Sequence, residues 1–171
     1  MLILVTGGAA SGKSEHAERL LCEAAPPGER LYVAAMQPYG EAAQRRIARH
    51  HALRAGKGFA DAERYTDLAH FSTGRRFEGI LLECLSNLLA NEMFREDCTD
   101  AVQAVLSGVG ALEAQCGTLV VVTNEIFSDG NAYPAETRQY IRALAAINQA
   151  LAARADAVYE SVCGILCRIK G

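Results

Sequence analysis

The chain has 171 residues, of which 50% are hydrophobic and 22% charged, and its net charge is −3. This balance fits one globular domain and excludes disordered and fibrous proteins. The acidic charge argues against a dedicated nucleic-acid binder. The first residues lack the basic segment of a signal peptide, no apolar run approaches the roughly 20 residues that span a bilayer, and the scattered cysteines form no CxxC pair. We therefore expect a cytoplasmic protein with no membrane span.

Short apolar runs alternate along the chain with stretches whose apolar residues have helical spacing. The predicted elements are, in chain order, strand Leu2–Thr6, helix Ser14–Glu23, strand Leu31–Ala35, helix Glu41–Leu53, strand Gly79–Cys84, helix Leu85–Phe94, helix Ala101–Gln115, strand Thr118–Thr123, helix Thr137–Arg154, and closing strands Ala157–Val162 and Ile165–Ile169. This order predicts an α/β fold with a mostly parallel sheet, helices on both faces and a possible antiparallel edge strand. Ligands of such sheets bind at the carboxyl ends of the strands.

The first strand and the first helix are joined by a segment that matches the pattern G-x-x-x-x-G-K-[ST]. Glycines let backbone N–H groups surround a phosphate, and the following helix adds its positive end. Lys13 is expected to reach the β- and γ-phosphates, and the Ser14 hydroxyl to bind Mg²⁺. The predicted phosphate-binding residues are Gly7, Gly8, Ala9, Ala10, Ser11, Gly12, Lys13 and Ser14. The sequence therefore predicts one P-loop NTPase-like domain over residues 1–171, with GTP or ATP as a substrate.

A P-loop also needs an acidic group near its metal ion, and two glutamates are candidates. Glu83 ends the run Ile-Leu-Leu-Glu, and Glu125 ends the run Val-Val-Val-Thr-Asn-Glu. Either could hold Mg²⁺ directly or through water. The alternative for each is a carboxylate that faces solvent or caps the next turn.

The helix predicted at Glu41–Leu53 is unusually basic. Arg46, His50 and Arg54 are four residues apart, so they share one helical face. Neighbouring guanidinium groups disfavour an imidazolium, and a neutral imidazole is a nucleophile. His50 could therefore attack a phosphorus atom whose oxygens the arginines hold. The alternative is an ordinary solvated basic helix.

Several blocks in a fixed order identify a family that the chain resembles. The blocks are Ile3–Ser14, Leu31–Ala34, Arg46–Ile47 with His50 as an R-I-x-x-H element, Leu81–Leu85, Val121–Ile126, Asn148–Gln149, Ala155–Asp156 and Gly164. Together they resemble the bifunctional adenosylcobinamide kinase / adenosylcobinamide-phosphate guanylyltransferase family of cobalamin biosynthesis. The P-loop alone is not specific to this family, whereas the ordered combination is.

The resemblance implies an enzyme with two activities. It would phosphorylate adenosylcobinamide, and it would transfer GMP from GTP to the resulting phosphate through a GMP–histidine intermediate at His50. It also implies a homo-oligomer, usually a trimer, with a corrinoid and GTP as small-molecule partners. Besides the P-loop, it assigns these residues to the nucleotide site: Tyr32, Val33, Ala34, His51, Ala52, Leu53, Arg54, Glu63 and Glu83. Ser14 and Glu83 would be the metal ligands, and Lys13 and His50 the catalytic residues.

The chain departs from the family pattern in four places. His51 stands where the family usually has Arg or Lys, so either His50 or His51 could be the nucleophile. The segments Gly40–Ala42, Arg54–Phe59 and Ile126–Pro134 also replace family motifs. Two other functions stay open at this point: a P-loop kinase of another small metabolite, and a nucleotide sensor without catalytic activity.

Overall fold

The computed structural model describes residues 1–127, 130 and 132–171. The strands are β1 (Leu2–Gly7), β2 (Arg30–Ala34), β3 (Phe59–Glu63), β4 (Phe77–Glu83), β5 (Cys116–Val122), β6 (Ala157–Val162) and β7 (Ile165–Lys170). The α-helices are α1 (Lys13–Ala24), α2 (Gly40–Arg54), α3 (Leu85–Met93), α4 (Ala101–Ala114) and α5 (Ala135–Arg154), and a short 3-10 helix covers Leu68–His70. No helix in the described ranges is both long and apolar enough to cross a membrane.

All seven strands belong to one sheet, in the order β3-β2-β4-β5-β1-β6-β7. The first six strands pair in parallel, and β7 pairs antiparallel with β6. The predicted α/β fold with a mostly parallel sheet and an antiparallel edge strand is therefore confirmed. Because β1 lies between β5 and β6, the loop that follows β1 emerges at the interior of the carboxyl edge.

The central strands β1, β4 and β5 are apolar along most of their length because helices cover both faces of the sheet. In β1, Leu2 and Leu4 face a cluster that includes buried residues of α3, α4 and α5. Ile3 and Val5 face a second cluster that contains Ala17 and Leu21 of α1. Alternate residues thus enter different layers, and each fully buried Leu or Val stabilises the fold by roughly 1.5–3 kcal/mol.

The sequence did not predict β3. Its residues, Phe-Ala-Asp-Ala-Glu, carry two carboxylates and are mostly exposed, so they lack the apolar run that marked the other strands. The strand forms at the sheet edge, where β2 is its one partner among the described strands. The observed bounds of the other elements differ from the predicted ones by at most two residues. Strand β5 ends at Val122, one residue before its predicted end, so Glu125 lies three residues beyond the strand.

The turn between α2 and β3 is fixed to the body of the protein by buried charges. Lys57 Nζ donates to Glu18 Oε2 at 2.7 Å, and Glu18 is fully buried in α1. Arg30 at the start of β2 donates to the carbonyl oxygens of Lys57, Ala25 and Cys22. These contacts hold the turn that follows α2 beside α1 and the start of β2.

The Glu18–Lys57 pair should make stability depend on pH. Burial raises the pKa of Glu18 above its ordinary value, while Lys57 opposes that shift. In Lys57→Met the buried carboxylate has no cation, and an unpaired buried charge costs roughly 1–3 kcal/mol of unfolding free energy near pH 7. Because the pKa of Glu18 is raised in the folded state, stability is lost as pH rises through it, and more is lost in the variant. The deficit of Lys57→Met should therefore shrink toward pH 4 in urea unfolding.

Glu18→Gln provides the control for this prediction. In a protein that already carries Glu18→Gln there is no charge to neutralise, so Lys57→Met should cost little at either pH. An equal loss of unfolding free energy in both backgrounds would show that Lys57 acts through packing alone.

Candidate functional site

The loop between β1 and α1 has the geometry of a phosphate cradle. Gly12 has a φ of 93°, in the left-handed region that favours glycine. A Cβ on Gly7 would lie 2.7 Å from the carbonyl oxygen of Ser161, so a larger residue does not fit there. Lys13 Nζ donates to the Gly8 carbonyl at 2.9 Å and thus folds over the loop. The predicted segment Gly7–Ser14 is therefore a strand–loop–helix unit, as its sequence indicated.

The end of β6 and the turn that follows it hold this loop through hydrogen bonds. Ser161 Oγ and the Gly164 backbone N–H both donate to the Ser11 carbonyl, at 2.6 and 3.0 Å. His16 Nε2 lies 3.1 Å from the Gly164 carbonyl. The loop is thus held by hydrogen bonds of the protein itself, so little ordering is needed when a ligand arrives.

Lys13 lies in a partly buried position. Burial lowers the pKa of its ammonium from the ordinary value, and the neighbouring Cys84 and Glu83 oppose that shift. A desolvated ammonium is stabilised by an adjacent anion. The position therefore favours a phosphate oxygen as an additional partner.

Glu83, at the carboxyl end of β4, joins the P-loop to α2. The Ser14 hydroxyl donates to its Oε1. Its Oε2 accepts from the Tyr32 hydroxyl at 3.3 Å and lies 3.6 Å from His50 Nδ1. The pairing of β2 with β4 sets Ala34 opposite Glu83, which brings the Tyr32 side chain of the neighbouring strand within reach. A single buried carboxylate thus contacts the first turn of α1, the middle of β2 and the middle of α2.

A cavity opens between α2 and the ends of β2, β3 and β4. Its lining includes seven residues that the resemblance assigned to the site: Tyr32, Ala34, His50, His51, Arg54, Glu63 and Glu83. Three assigned residues do not line it: Val33 is buried in the cluster on the other face of the sheet, and Ala52 and Leu53 lie on other sides of α2. Four lining residues were not predicted: Met36, Ile47, Asp61 and Ala62. Recognition of β3 would have placed Asp61 beside Tyr32, its register partner.

Arg54 is the buried residue of an otherwise mostly exposed helix. Its guanidinium lies 3.3 Å from the centroid of the Tyr32 ring and donates through Nη2 to Asp61 Oδ1 at 2.7 Å. Its Nε and Nη1 are buried and have no hydrogen-bond partner in the described part of the chain. Arg54 therefore points these two N–H donors toward the interior of the protein. The alternative of an ordinary solvated basic helix does not describe this end of α2.

The two candidate acidic residues differ in their surroundings. Glu83 and Ser14 bring oxygen atoms together at the end of the P-loop, and Mg²⁺ is commonly held by one or two such protein oxygens together with phosphates and water. These side chains therefore fit a magnesium ion. The Glu125 carboxylate accepts from the Phe127 N–H at 2.8 Å, as in the capping alternative. Of the divergent segment Ile126–Pro134, residues Ser128, Asp129 and Asn131 lie outside the described residues.

With this geometry established, the sequence comparisons decide the family. The cobinamide kinase / cobinamide phosphate guanyltransferase family matches residues 3–169. The chain belongs to this family. It is 33% identical to the bifunctional adenosylcobalamin biosynthesis protein CobU of Escherichia coli (strain K12), over 99% of this chain and 100% of that protein. The protein of the same name from Salmonella typhimurium is 34% identical, over 99% and 100% of the two chains. The predicted family and the predicted enzyme class are thus confirmed.

Solved structures resemble this cobinamide kinase / guanyltransferase family member in fold. The flagellar accessory protein FlaH of Methanocaldococcus jannaschii aligns with a TM-score of 0.52 at 12% identity, over 99% of this chain and 77% of that one. A KaiC-like protein of Pyrococcus horikoshii aligns with a TM-score of 0.52 at 13% identity, over 93% and 69%. At such identities the likeness shows the fold alone, and it agrees with the predicted P-loop NTPase-like architecture.

The position of Lys13 over the P-loop leads to a binding prediction. Lys13→Ala should weaken GTP binding in the presence of Mg²⁺ by roughly 10- to 100-fold, because a charge-assisted hydrogen bond contributes roughly 1.5–3 kcal/mol. Lys170→Ala is the matched control. Lys170 lies at the end of antiparallel β7, near the amino end of β6 and therefore away from the P-loop. Calorimetry that gives the same affinity for Lys13→Ala and Lys170→Ala would remove Lys13 from nucleotide binding.

Proposed function

We propose that the protein phosphorylates adenosylcobinamide and then transfers GMP from GTP to adenosylcobinamide phosphate through a covalent GMP–His50 intermediate. The observation that carries this proposal is the Glu83 carboxylate, which contacts Ser14 of the P-loop and lies 3.6 Å from His50. A phosphate-binding loop and a candidate nucleophile therefore border one site. Family membership supports the same two activities.

In the kinase reaction, the P-loop binds the triphosphate of GTP or ATP. Backbone N–H groups of residues 7–14 and the Lys13 ammonium stabilise the charge that develops as the γ-phosphoryl group leaves. Ser14 and Glu83 would hold Mg²⁺, which supplies further neutralisation of the phosphate oxygens. The hydroxyl of the aminopropanol arm of adenosylcobinamide is the acceptor, so this chain must admit that arm to the carboxyl edge of β1 and β4.

In the guanylyltransferase reaction, the His50 imidazole attacks the α-phosphorus of GTP. A P–N bond forms, the bond to the bridging oxygen breaks, and pyrophosphate leaves with the electron pair. An oxygen of adenosylcobinamide phosphate then attacks the same phosphorus and His50 leaves. Arg54, whose Nε and Nη1 have no hydrogen-bond partner among the described residues, and Arg46, one helical turn before His50, would neutralise phosphate oxygens. The two displacements keep pyrophosphate and the second phosphate from occupying the site together.

The rest of the nucleotide would extend along the cavity beside α2. The lining residues Tyr32, Ala34, His51 and Glu63 support this assignment by position. Val33, Ala52 and Leu53 do not line the cavity, and their assignment stays an expectation from the resemblance. The corrinoid would approach from the open carboxyl edge of the sheet.

We further propose a homo-oligomer, with a trimer as the expected state. The edge strand β7 exposes Ile165 and Ile169, and an apolar unpaired edge is a common contact between protein copies. A single-chain mass in light scattering at micromolar concentration would refute it. The expected compartment is the cytoplasm, where the six free cysteines would stay reduced.

The covalent intermediate predicts which phosphate of GTP remains on the protein. After incubation with Mg²⁺ and labelled GTP, followed by denaturation, α-phosphate label should stay bound and γ-phosphate label should not. A phosphoramidate is acid-labile and base-stable, so mild acid should release the label. His50→Ala should abolish labelling, because no imidazole remains at the attacking position.

His51→Ala is the matched control, since His51 lines the same cavity one residue along the helix. It should weaken labelling at most. Label that persists in His50→Ala and disappears in His51→Ala would move the nucleophile to His51. A wild-type protein that takes up no α-label would favour the alternative function, a P-loop kinase of another small metabolite.

A further inference from the structure

Tyr32 uses both ends of its side chain within the site. Its hydroxyl lies 3.3 Å from Glu83 Oε2, and its ring lies under the Arg54 guanidinium at 3.3 Å. The residue is buried in the centre of β2, on the side of the sheet that faces α1. Tyr32 therefore contacts both Glu83 of β4 and Arg54 of α2, the two charged side chains near His50. Its place in the middle of β2 fixes the position of its backbone.

The Oε2 atom of Glu83 faces two groups at once. One is the Tyr32 hydroxyl, and the other is His50 Nδ1, 3.6 Å away. A carboxylate oxygen has two lone pairs, so it can accept from both. His50 Nδ1 is buried and has no hydrogen-bond partner among the described residues, and Glu83 Oε2 is an anionic acceptor 3.6 Å from it. A movement of a few tenths of an ångström would bring the pair to hydrogen-bond length.

These contacts favour one tautomer of His50. The Tyr32 hydroxyl donates to Glu83 Oε2, so this oxygen acts as a hydrogen-bond acceptor. With Oε2 held as an acceptor, the proton of a neutral His50 belongs on Nδ1. The lone pair is then on Nε2, the ring nitrogen opposite to the carboxylate.

We propose that Tyr32 is a positioning residue for guanylyl transfer: its hydroxyl holds Glu83 so that His50 carries its proton on Nδ1 and attacks through Nε2. The inference rests on the proposed function, which names His50 as the nucleophile. In the attack, the Nε2 lone pair forms the bond to the α-phosphorus, and the bond to pyrophosphate breaks. Nδ1 keeps its proton, and the Glu83 carboxylate stabilises the positive charge that develops on the ring.

Tyr32→Phe tests this role because it removes the hydroxyl and keeps the ring under Arg54. The single-turnover rate of α-label transfer from GTP to His50 should fall about tenfold, as expected for one hydrogen bond to a charged acceptor. The GTP dissociation constant in calorimetry should change much less than the rate. A general loosening of the site would change both.

The tautomer gives a readout that needs no nucleotide. In protein labelled with ¹⁵N-histidine, NMR should show His50 protonated on Nδ1 in the wild type and a mixture of tautomers in Tyr32→Phe. His50→Gln identifies the signals. Tyr140→Phe is the matched control, because the Tyr140 hydroxyl is also partly buried but donates to the Ser86 carbonyl. It should leave both the transfer rate and the His50 tautomer unchanged.

Two results would overturn the inference. One is a wild-type His50 protonated on Nε2. The other is a folded Tyr32→Phe that is labelled at the wild-type rate and keeps the wild-type tautomer. A wild-type protein with no α-label would instead contradict the proposed function, while the NMR comparison would still decide whether Tyr32 fixes the His50 ring.

Discussion

The Glu83 carboxylate is the contact on which the candidate site depends. It ends a buried strand, accepts from Ser14 in the first turn of α1, and faces His50 in α2. Without this carboxylate, the phosphate loop and the basic helix would be two separate features on one side of the sheet. Because Glu83 contacts both elements, its negative charge can act on the phosphate site at the P-loop and on the candidate nucleophile of α2.

The rest of the fold keeps this group in place. Parallel pairing of β2, β4 and β5 sets the carboxyl end of β4 between its neighbours, where Tyr32 reaches it from β2. The P-loop that precedes α1 is held by Ser161 at the end of β6 and by Gly164 in the turn that follows. The carboxyl end of α2 is held by Arg54 and Lys57. Rigid strands thus carry the shared carboxylate, and hydrogen bonds at two turns orient the helices toward it.

The sequence predicted the parts of the site that depend on local patterns. The P-loop follows from residue types at fixed spacing between an apolar strand and a helix, and Glu83 follows from its place after an apolar run. The edge strand β3 was missed because its polar residues carry no such pattern. With it, Asp61 was missed, and so was the reason that Arg54 turns inward to stack on Tyr32. The proximity of Glu83 to His50 depends on strand order and on the path of α2, which spacing along one chain does not encode.

The shared carboxylate can be tested by measuring both half-reactions in Glu83→Gln. The amide keeps the size of the side chain and removes its charge. The account predicts a folded protein whose melting temperature changes little. It also predicts that phosphorylation of adenosylcobinamide and α-label transfer to the protein both slow by roughly 100-fold, the scale of losing one electrostatic contact in a preorganised site. Wild-type rates for both reactions together with a lowered melting temperature would contradict the account, because Glu83 would then stabilise the fold without serving either reaction.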